Sequence, residues 1–285
     1  MTSGVMKIAT SPGIVPLMPG SPFGSHLRAH RAARGLSQER LAGCAEISPR
    51  HLSCLETGRA APSRAMVLML GSALDLPMRE RNVLLETAGF AAHYRDHALD
   101  SAEEANLARA LDHLLRQQEP YGAVVIDRCW NLLRMNQGAT RLFAAFADVA
   151  GMPPEVRGNV LVATLHPLGM RPAIVNFGEV AALVLERHHA DAARAPESPE
   201  MRLLRATVAA IPDLPPRPSR AAARPAGPFL TLHLRRGGLE ARLFTMLTTI
   251  GTPTDVTAEE VQIESYYPAD AATERLCREL AGVGG

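Results

Sequence analysis

Residues 36–59, LSQERLAGCAEISPRHLSCLETGR, have the pattern of two short helices joined by a tight turn. Ser37 can accept hydrogen bonds from the first free N–H groups of one helix. Ser48 and Pro49 mark the start of the next, because proline lacks an N–H group that would be unpaired there anyway. Two helices that cross steeply need a small residue at their contact, and Ala42 meets that need. The stretch therefore predicts a helix-turn-helix.

Five helices in all are predicted between Ser25 and Phe90, with the helix-turn-helix in the middle. Most of them begin at a serine and end near a glycine or a proline, the usual residues at helix ends. We expect an all-α domain over residues 25–90, preceded by a flexible N-terminal arm over residues 1–24. The apolar residues predicted to form the core around the turn are Leu41, Ile47, Leu52 and Leu55.

The second helix of a helix-turn-helix places its N-terminal residues on base edges in the major groove of DNA. Arg50 lies at that end, and its guanidinium can donate two hydrogen bonds to one guanine. Gln38, Thr57 and Arg59 stand where phosphates of the DNA backbone should pass. The full set of predicted DNA-contacting residues is Gln38, Ser48, Arg50, His51, Ser53, Cys54, Thr57 and Arg59.

The charge around this unit differs from that of the whole chain. Residues 28–64 contain seven arginines and three glutamates, whereas the net charge of the 285-residue chain is +1. A local positive face is therefore expected, without a uniformly basic surface. A small helical bundle with no DNA function is the alternative, and it would require the caps, the turn and the arginine positions to coincide by chance.

This pattern resembles the lambda-repressor-like, XRE-family helix-turn-helix, from Gln38 through Leu41-Ala42 to Leu55-Glu56 and Gly58-Arg59. The resemblance covers about residues 25–90 and implies binding to a double-stranded DNA operator. It also implies a structural, half-buried pair between Arg31 and Glu56. Glu46 stands at the turn position that is usually glycine, where a left-handed conformation costs a non-glycine residue about 1 kcal/mol.

The rest of the chain has a different pattern. After a predicted linker at 91–100 and a long amphipathic helix, GAVVID and NLLRMN predict a β-hairpin. Gly237 and Gly238 separate FLTLHLRR from LEARLFTMLTTIG in a second hairpin, and VQIESYY is a last strand. We expect an α+β domain over residues 101–285, an antiparallel sheet with helices packed on one face. Flexible loops are predicted at about 191–199 and 212–227.

Several classes of function find no support in the sequence. It contains no nucleophile elbow, Walker loop or zinc-protease motif. The four cysteines never occur as CxxC pairs, so neither a zinc site nor a disulfide framework is predicted. No run of about 18 apolar residues suggests a membrane span. We therefore expect a cytoplasmic protein that is not an enzyme and has no metal and no cofactor.

Other segments of the chain resemble MmyB-like regulators. LHPLGMRPAIVNFGEVA, TIGTPTDVT, IESYYPADAAT and WNLLRMNQGATRLF are similar to the C-terminal domain of that family. ETGRAAPS and RERNVLLETAGF are similar to its DNA-binding half, so the resemblance extends over nearly the whole chain from about residue 25. It implies a PAS-like fold whose pocket takes a fatty acid or a similar apolar acid.

Candidate pocket residues follow from this resemblance and from the apolar density around the predicted sheet. A carboxylate head needs a charge-assisted hydrogen-bond partner, and the candidates are His166, Arg171 and Asn176. An ordinary core is the alternative reading of the apolar residues. These are Trp130, Phe143, Phe146, Leu165, Phe177, Val180, Phe244 and Met246.

Together these observations favour a bacterial transcription regulator that binds DNA as a homodimer and senses a small apolar ligand. In that hypothesis the ligand shifts the relative placement of the two DNA readers. The alternative hypothesis keeps the DNA reader but makes the C-terminal domain only a dimerisation or partner-protein module without a ligand.

Overall fold

The computed structural model describes residues 22–99, 101–102, 104–215 and 229–282. The chain divides into two compact units, Met1–His93 and Tyr94–Gly285. Most of the predicted N-terminal arm lies outside the described residues, as do residues 216–227 of the second predicted loop.

The first unit contains the five predicted helices. They are α1 (Pro22–Ala33), α2 (Gln38–Cys44), α3 (Pro49–Glu56), α4 (Arg64–Ala73) and α5 (Met78–Thr87). The serines before α2, α3 and α4 cap them as predicted, because their side chains accept hydrogen bonds from backbone N–H groups one turn later. The core of the unit consists of side chains from all five helices, including Phe23, Leu27, Leu41, Leu52, Leu55, Leu70 and Leu84.

Two local features hold α3 in place. Gly24 of α1 packs so closely on the end of α3 that a Cβ atom there would lie 2.5 Å from the carbonyl oxygen of Glu56. Glu46, in the turn between α2 and α3, has φ of 51°, which confirms the left-handed conformation expected at that position. The turn is therefore formed despite the absence of glycine.

The second unit is built on a five-stranded antiparallel sheet within the described residues. Its strands are β1 (Ala123–Ile126), β2 (Leu132–Met135), β3 (Leu232–Arg236), β4 (Leu239–Thr249) and β5 (Gln262–Pro268), in the order β2-β1-β5-β4-β3. Both predicted hairpins are confirmed. Gly237 and Gly238 have φ of 53° and 85°, the values that a two-residue hairpin turn of this type requires.

The helices of the second unit lie before, between and after these strands. They are α6 (Ala105–Gln117), α7 (Gln137–Phe146), α8 (Pro154–Arg157), α9 (Val160–Leu165), α10 (Phe177–Arg194), α11 (Pro199–Ala209), α12 (Val256–Glu260) and α13 (Ala271–Leu280), with a 3-10 turn at Arg171–Ala173. No helix in the described part of the chain combines the length and apolarity needed to cross a membrane.

Helices cover both faces of the sheet, so the prediction that they pack on one face was wrong. All four residues of β1 are buried. Val124 and Ile126 belong to the larger core, beside α7, α9 and α10. Ala123 and Val125 face the other way, against Leu111 and Leu115 of α6 and residues at the start of β5. A strand that is covered on both faces loses the alternation that marks a one-sided sheet.

Two predicted connecting segments differ from their predicted extent. The loop expected at about 191–199 is reduced to residues 195–198, because α10 extends to Arg194 and Ser198 caps α11. Part of the predicted linker at 91–100 also belongs to the second unit. There the carbonyl oxygens of Arg95 and His97 accept hydrogen bonds from residues of α12, at 2.9 and 2.5 Å.

Candidate nucleic-acid interface and ligand cavity

The buried face of α3 determines which residues the helix exposes. Leu52 and Leu55 are fully buried. Because a helix has about 3.6 residues per turn, the residues between them point away from the core. Arg50 is exposed, while His51, Ser53 and Cys54 are partly exposed. The structure thus brings together, on one outward face of α3, the four residues predicted to read bases.

Glu56, the last residue of α3, is held by a buried polar network. Arg31 of α1 donates from Nε and Nη2 to its two carboxylate oxygens, at 2.6 and 3.0 Å, and from Nη1 to the carbonyl oxygen of Leu36 at 2.8 Å. Gln38 donates from Nε2 to Glu56 Oε2 at 2.8 Å. This confirms the expected Arg31–Glu56 pair. Gln38 belongs to the same network, and its contact with phosphate stays a prediction.

The electrostatics of this network favour an ionised Glu56. Burial by itself raises the pKa of the Glu56 carboxyl, but the hydrogen bonds from Arg31 and Gln38 outweigh burial, and the pKa lies below its ordinary value of 4.5. The same pairing raises the pKa of Arg31. The network therefore fixes the end of α3 against α1 and the start of α2, and so orients the exposed face.

The remaining predicted DNA-contacting residues lie at the two ends of α3. Ser48 Oγ accepts a hydrogen bond from His51 N at 3.1 Å, and Thr57 Oγ1 donates to the carbonyl oxygen of Ser53 at 2.7 Å. Arg59 is exposed just beyond the helix. These residues can meet phosphates on either side of a base-reading helix.

The larger core of the second unit encloses a cavity of about 220 Å³ between one face of the sheet and helices α7, α9 and α10. Its lining reaches from buried Val124 to exposed Thr140 and Arg157, so the cavity meets the surface. Most of the residues that line it are aliphatic or aromatic. They are Val124, Leu132, Met135, Thr140, Phe143, Ala144, Val149, Met152, Arg157, Val160, Ala163, Thr164, Met170, Ile174, Val180, Val184, Leu230, Leu232, Leu234, Thr245 and Tyr266.

Two of the eleven residues predicted to bind a ligand, Phe143 and Val180, line this cavity. Trp130, Phe146 and Leu165 are buried in the surrounding core but do not line it. For these three the alternative of an ordinary core is the better description.

Phe244 and Met246 lie on the opposite face of the sheet, so their assignment to the pocket was wrong. Successive side chains of a strand alternate between faces. Thr245 lines the cavity, and its two neighbours therefore point away from it. Phe244 stacks on Tyr267 with 5.4 Å between ring centroids, and 55% of Met246 is exposed.

The three residues predicted to bind a ligand carboxylate form hydrogen bonds with other residues of the chain. Arg171 donates to the carbonyl oxygens of Pro212 and Asp213, at 2.7 and 3.1 Å, and its guanidinium lies 4.5 Å from the ring centroid of Phe177. His166 Nδ1 accepts a hydrogen bond from Leu168 N at 3.1 Å.

Asn176 joins the start of α10 to β3. Its Nδ2 donates to the carbonyl oxygen of Thr231 at 2.7 Å, and its Oδ1 accepts from His233 N at 3.1 Å. None of the three anchors, nor Phe177, lines the cavity. Met170, Ile174 and Val180 of the same segment, LHPLGMRPAIVNFGEVA, do line the cavity, so this segment contributes apolar wall residues and not the predicted carboxylate anchors.

The sequence analysis did not identify the polar residues that line the cavity. Thr245 and Tyr266 are neighbours on β4 and β5 and share the cavity face. Residues two positions apart on a strand face the same side of the sheet, so a buried Leu243 would have placed Thr245 on the cavity side as well. Arg157 occupies a four-residue helix with no periodic signal.

A buried polar cluster adjoins Tyr266. Burial, together with Glu264, raises the pKa of Tyr266 well above its usual value, and burial also raises the pKa of Glu264 against the opposing effect of Arg187. The Arg187 guanidinium lies 4.0 Å from the ring centroid of Trp130. Trp130 therefore supports this cluster instead of a ligand.

Comparison with protein families identifies both units. Residues 22–84 match a helix-turn-helix domain. Residues 107–280, more than half of the chain, match the MmyB-like transcription regulator ligand binding domain. No curated protein matches the chain.

Solved structures with similarity to the chain include two helix-turn-helix regulators. The restriction-modification controller protein C.AhdI from Aeromonas hydrophila is 38% identical over 21% of this chain and 92% of that chain, with a TM-score of 0.21. The clp gene regulator ClgR from C. glutamicum is 35% identical over 24% of this chain and 87% of that chain, with a TM-score of 0.22.

An RNA-binding light-oxygen-voltage receptor is 14% identical over 91% of this chain and 61% of that chain, with a TM-score of 0.25. The extent of the two family matches is what identifies the protein. The chain belongs to the family of MmyB-like transcription regulators, as a DNA-binding helix-turn-helix regulator with an MmyB-like ligand-binding domain.

Proposed function

We propose that the protein is a sequence-specific transcription regulator that binds operator DNA as a homodimer and senses a small apolar ligand through a PAS-like C-terminal domain. The observation that carries this proposal is the cavity of about 220 Å³ with a mainly apolar lining, inside the domain matched by the family's ligand-binding module. Apolar cavities with a few polar groups are the usual form of small-molecule sites.

The outward face of α3 supports the DNA-reading half of the proposal. Arg50 is exposed at the N-terminal end of this helix, while the Arg31–Glu56 pair holds the other end. In a homodimer each α3 would enter the major groove of one half-site. The half-sites would then lie about 34 Å apart along the DNA, or a multiple of that distance.

The chemistry of the cavity lining supports binding as its role and not catalysis. Apart from Arg157, the lining side chains are aliphatic, aromatic, hydroxyl-bearing or methionine thioethers, with no cysteine, histidine or carboxylate among them. Nucleophilic and acid–base catalysis both rely on such groups. We therefore infer that the C-terminal domain is a sensor and not an enzyme.

Coupling between the two sites has a thermodynamic requirement. A ligand changes DNA affinity only if it binds the DNA-bound and free states differently, and DNA must then change ligand affinity by the same factor. The expected coupling is on the order of 1–3 kcal/mol, which corresponds to roughly 5- to 150-fold in affinity.

An exposed aromatic patch favours a second candidate function, in which the C-terminal domain is a dimerisation or partner-protein module. Phe229 and Phe244 lie 4.8 Å apart by ring centroids, and Phe244 stacks on Tyr267. Phe229 is 49% exposed. This patch lies on the face of the sheet opposite the cavity, so the two roles require different surfaces.

Displacement of a fluorescent fatty acid distinguishes the two candidates. We expect dansyl-labelled undecanoic acid to bind the delipidated full chain and to be displaced by unlabelled apolar acids. Val184→Phe places a larger side chain in the cavity lining and should abolish this binding. Val175→Phe makes the same change at an exposed position outside the cavity and serves as the matched control.

Both variants should retain the wild-type thermal unfolding temperature, which separates loss of the site from loss of the fold. Equal binding of the probe by wild type and the Val184 variant would show that the cavity is not the ligand site. No binding by any of the three proteins, with DNA affinity indifferent to extracted lipid, would favour the partner-module function.

A further inference from the structure

A groove of about 800 Å³ lies between α10 and α11 and shares no lining residue with the apolar cavity. Each helix contributes residues at helical spacing, so each set lies on one side of its helix. These residues are Leu185, His188 and His189 of α10, and Arg202, Arg205, Ala206 and Ala209 of α11. The volume is within the range of about 300–1,000 Å³ that is usual for small-molecule sites.

The segment that follows α11 completes the groove. Four of its residues contribute to the lining, namely Ile211, Asp213, Leu214 and Pro215. Ile211 is buried in the larger core. Arg171 donates hydrogen bonds to the carbonyl oxygens of Pro212 and Asp213, at 2.7 and 3.1 Å. These contacts hold the segment in place, so this part of the groove is formed in the absence of a ligand.

His188 is a polar residue in an apolar position. It is 2% exposed, and Leu185 and Ala192, about one turn before and after it, belong to the larger core. Its Nδ1 atom is buried and has no hydrogen-bond partner among the described residues. Burial, together with His189 and Arg205, lowers the pKa of His188 to about 4, so the ring is neutral at pH 7. A buried polar atom without a partner costs stability, and a ligand in the groove would supply the reason for keeping it.

Two cations on the opposite wall have no partner within the described part of the chain. The guanidinium groups of Arg202 and Arg205 are exposed and make no hydrogen bond or ion pair with a described residue. Like charges three residues apart on a helix repel each other. Asp213 is the one acidic residue in the described lining, so the groove has an excess of positive charge. An anion placed between the two guanidinium groups would relieve their repulsion.

We propose that this groove binds a phosphate monoester with an apolar body, its phosphate held by Arg202, Arg205 and His188. A phosphate monoester carries about two negative charges and three acceptor oxygens, which match two guanidinium groups and a ring nitrogen. A carboxylate has only two oxygens, and a single guanidinium satisfies both. Leu185 and Leu214 offer apolar surface for the body of the ligand. The site is separate from the ligand-sensing cavity, and the two proposals stand or fall independently.

Calorimetric titration of the full chain with 1-naphthyl phosphate tests the proposal, with inorganic phosphate and 1-naphthol as partial ligands. We expect wild type to bind 1-naphthyl phosphate more tightly than either partial ligand. Arg202→Gln and Arg205→Gln should each weaken it by roughly fivefold or more, because each removes a charge-assisted hydrogen bond. Arg275→Gln removes the same charge from an exposed position on α13 outside the groove, and should bind like wild type.

Two further variants separate binding from folding. His188→Leu should raise the thermal unfolding temperature of the ligand-free chain, because it removes an unpaired buried nitrogen, and should still weaken 1-naphthyl phosphate. Asp213→Asn should tighten binding, since it removes the acidic group of the lining. Asparagine tolerates the left-handed backbone at this position, where φ is 54°. A lower unfolding temperature for His188→Leu with unchanged affinity would make His188 a structural residue and contradict its proposed role.

Several outcomes would overturn the proposal. One is failure of wild type to bind 1-naphthyl phosphate, and another is equal affinity in wild type and both arginine variants. Weaker operator binding by the two arginine variants, with 1-naphthyl phosphate unaffected, would assign these cations to the DNA backbone instead.

The dansyl-labelled fatty acid distinguishes this site from the cavity. We expect 1-naphthyl phosphate not to displace that probe, because the two sites share no lining residue. Displacement that is equally effective in wild type and in the arginine variants would place 1-naphthyl phosphate in the cavity and overturn the groove as its site. If the dansyl-labelled probe bound and 1-naphthyl phosphate did not, the ligand-sensing function would stand and only the groove proposal would fall.

Discussion

Arg31 and Glu56 are joined by two hydrogen bonds, Nε to Oε1 at 2.6 Å and Nη2 to Oε2 at 3.0 Å, which connect α1 to the last residue of α3. The Glu56 side chain has no exposed surface, and that of Arg31 has 15%. A charge buried to this degree is tolerated because its partners are fixed. The pair therefore links the stability of the first unit to the orientation of the exposed face of α3.

Breaking this pair from one side should destabilise the first unit. Arg31→Met leaves Glu56 buried without its main partner, and we expect a loss of about 3 kcal/mol in the free energy of unfolding. Chemical denaturation followed by circular dichroism measures it. Arg31→Met combined with Glu56→Leu should recover most of the loss, because an apolar pair leaves no buried charge. A double variant as unstable as the single one would contradict this account.

The same pair predicts a dependence on pH. The pKa of Glu56 is lowered in the folded protein, so its stabilising contribution is fully present above the ordinary value of 4.5 and is lost as the pH falls through the lower folded value. We expect wild type to lose stability more steeply than the Arg31→Met, Glu56→Leu double variant as the pH falls below 4.5. Identical acid profiles would show that the pair does not control the acid response.

The close approach of α1 to α3 predicts a contrast between two glycines. A Cβ atom at Gly24 would lie 2.5 Å from the Glu56 carbonyl oxygen, whereas one at Gly43 would meet nothing within 4 Å. Gly24→Ala should destabilise the first unit by about 2 kcal/mol. Gly43→Ala should stabilise it by about 0.5–1 kcal/mol, since alanine favours a helix interior. Thermal unfolding of both variants checks the contrast, and equal effects would contradict it.

Two exposed arginines should affect DNA binding in different ways. Arg50→Ala should cost about 1–3 kcal/mol on the preferred sequence and relax the choice of base at one position. Arg59→Ala should weaken binding evenly across sequences and reduce the salt dependence by about one phosphate contact. Fluorescence anisotropy on a set of single-base operator variants, at several salt concentrations, separates the two effects.

Each variant serves as the control for the other, because both remove one exposed arginine. If Arg50→Ala left base preference intact, α3 would not be the reading helix in the way proposed. If Arg59→Ala changed specificity at one base position, its assignment to phosphate would be wrong.

The features that the sequence predicted well are those encoded by neighbouring residues. Ser37, Ser48 and Ser63 cap helices through bonds to residues three positions ahead, so each signal lies within one helical turn. Gly237 and Gly238 define a hairpin in the same local way. The Arg31–Glu56 pair spans 25 residues, and it was expected only through a family resemblance.

The features that the sequence did not predict depend on distant packing. Arg171 is a candidate carboxylate anchor in the sequence, with pairing to a nearby acidic residue as the alternative, but it donates to carbonyl groups 41 and 42 residues away. Met246 is an apolar residue in a strand and was predicted to line the pocket, but its side chain lies on the exposed face of the sheet. Arg157 lies in a helix too short to have a pattern, and only the fold places it beside the cavity.

The central claim is that an apolar acid in the C-terminal cavity changes the affinity of the helix-turn-helix unit for DNA. The most direct measurement is the anisotropy titration of an operator selected from random-sequence DNA, with and without saturating decanoate. We predict that decanoate shifts the DNA affinity of wild type and of Val175→Phe by at least about fivefold, and does not shift that of Val184→Phe. The same DNA affinity for wild type with and without bound decanoate would contradict the claim.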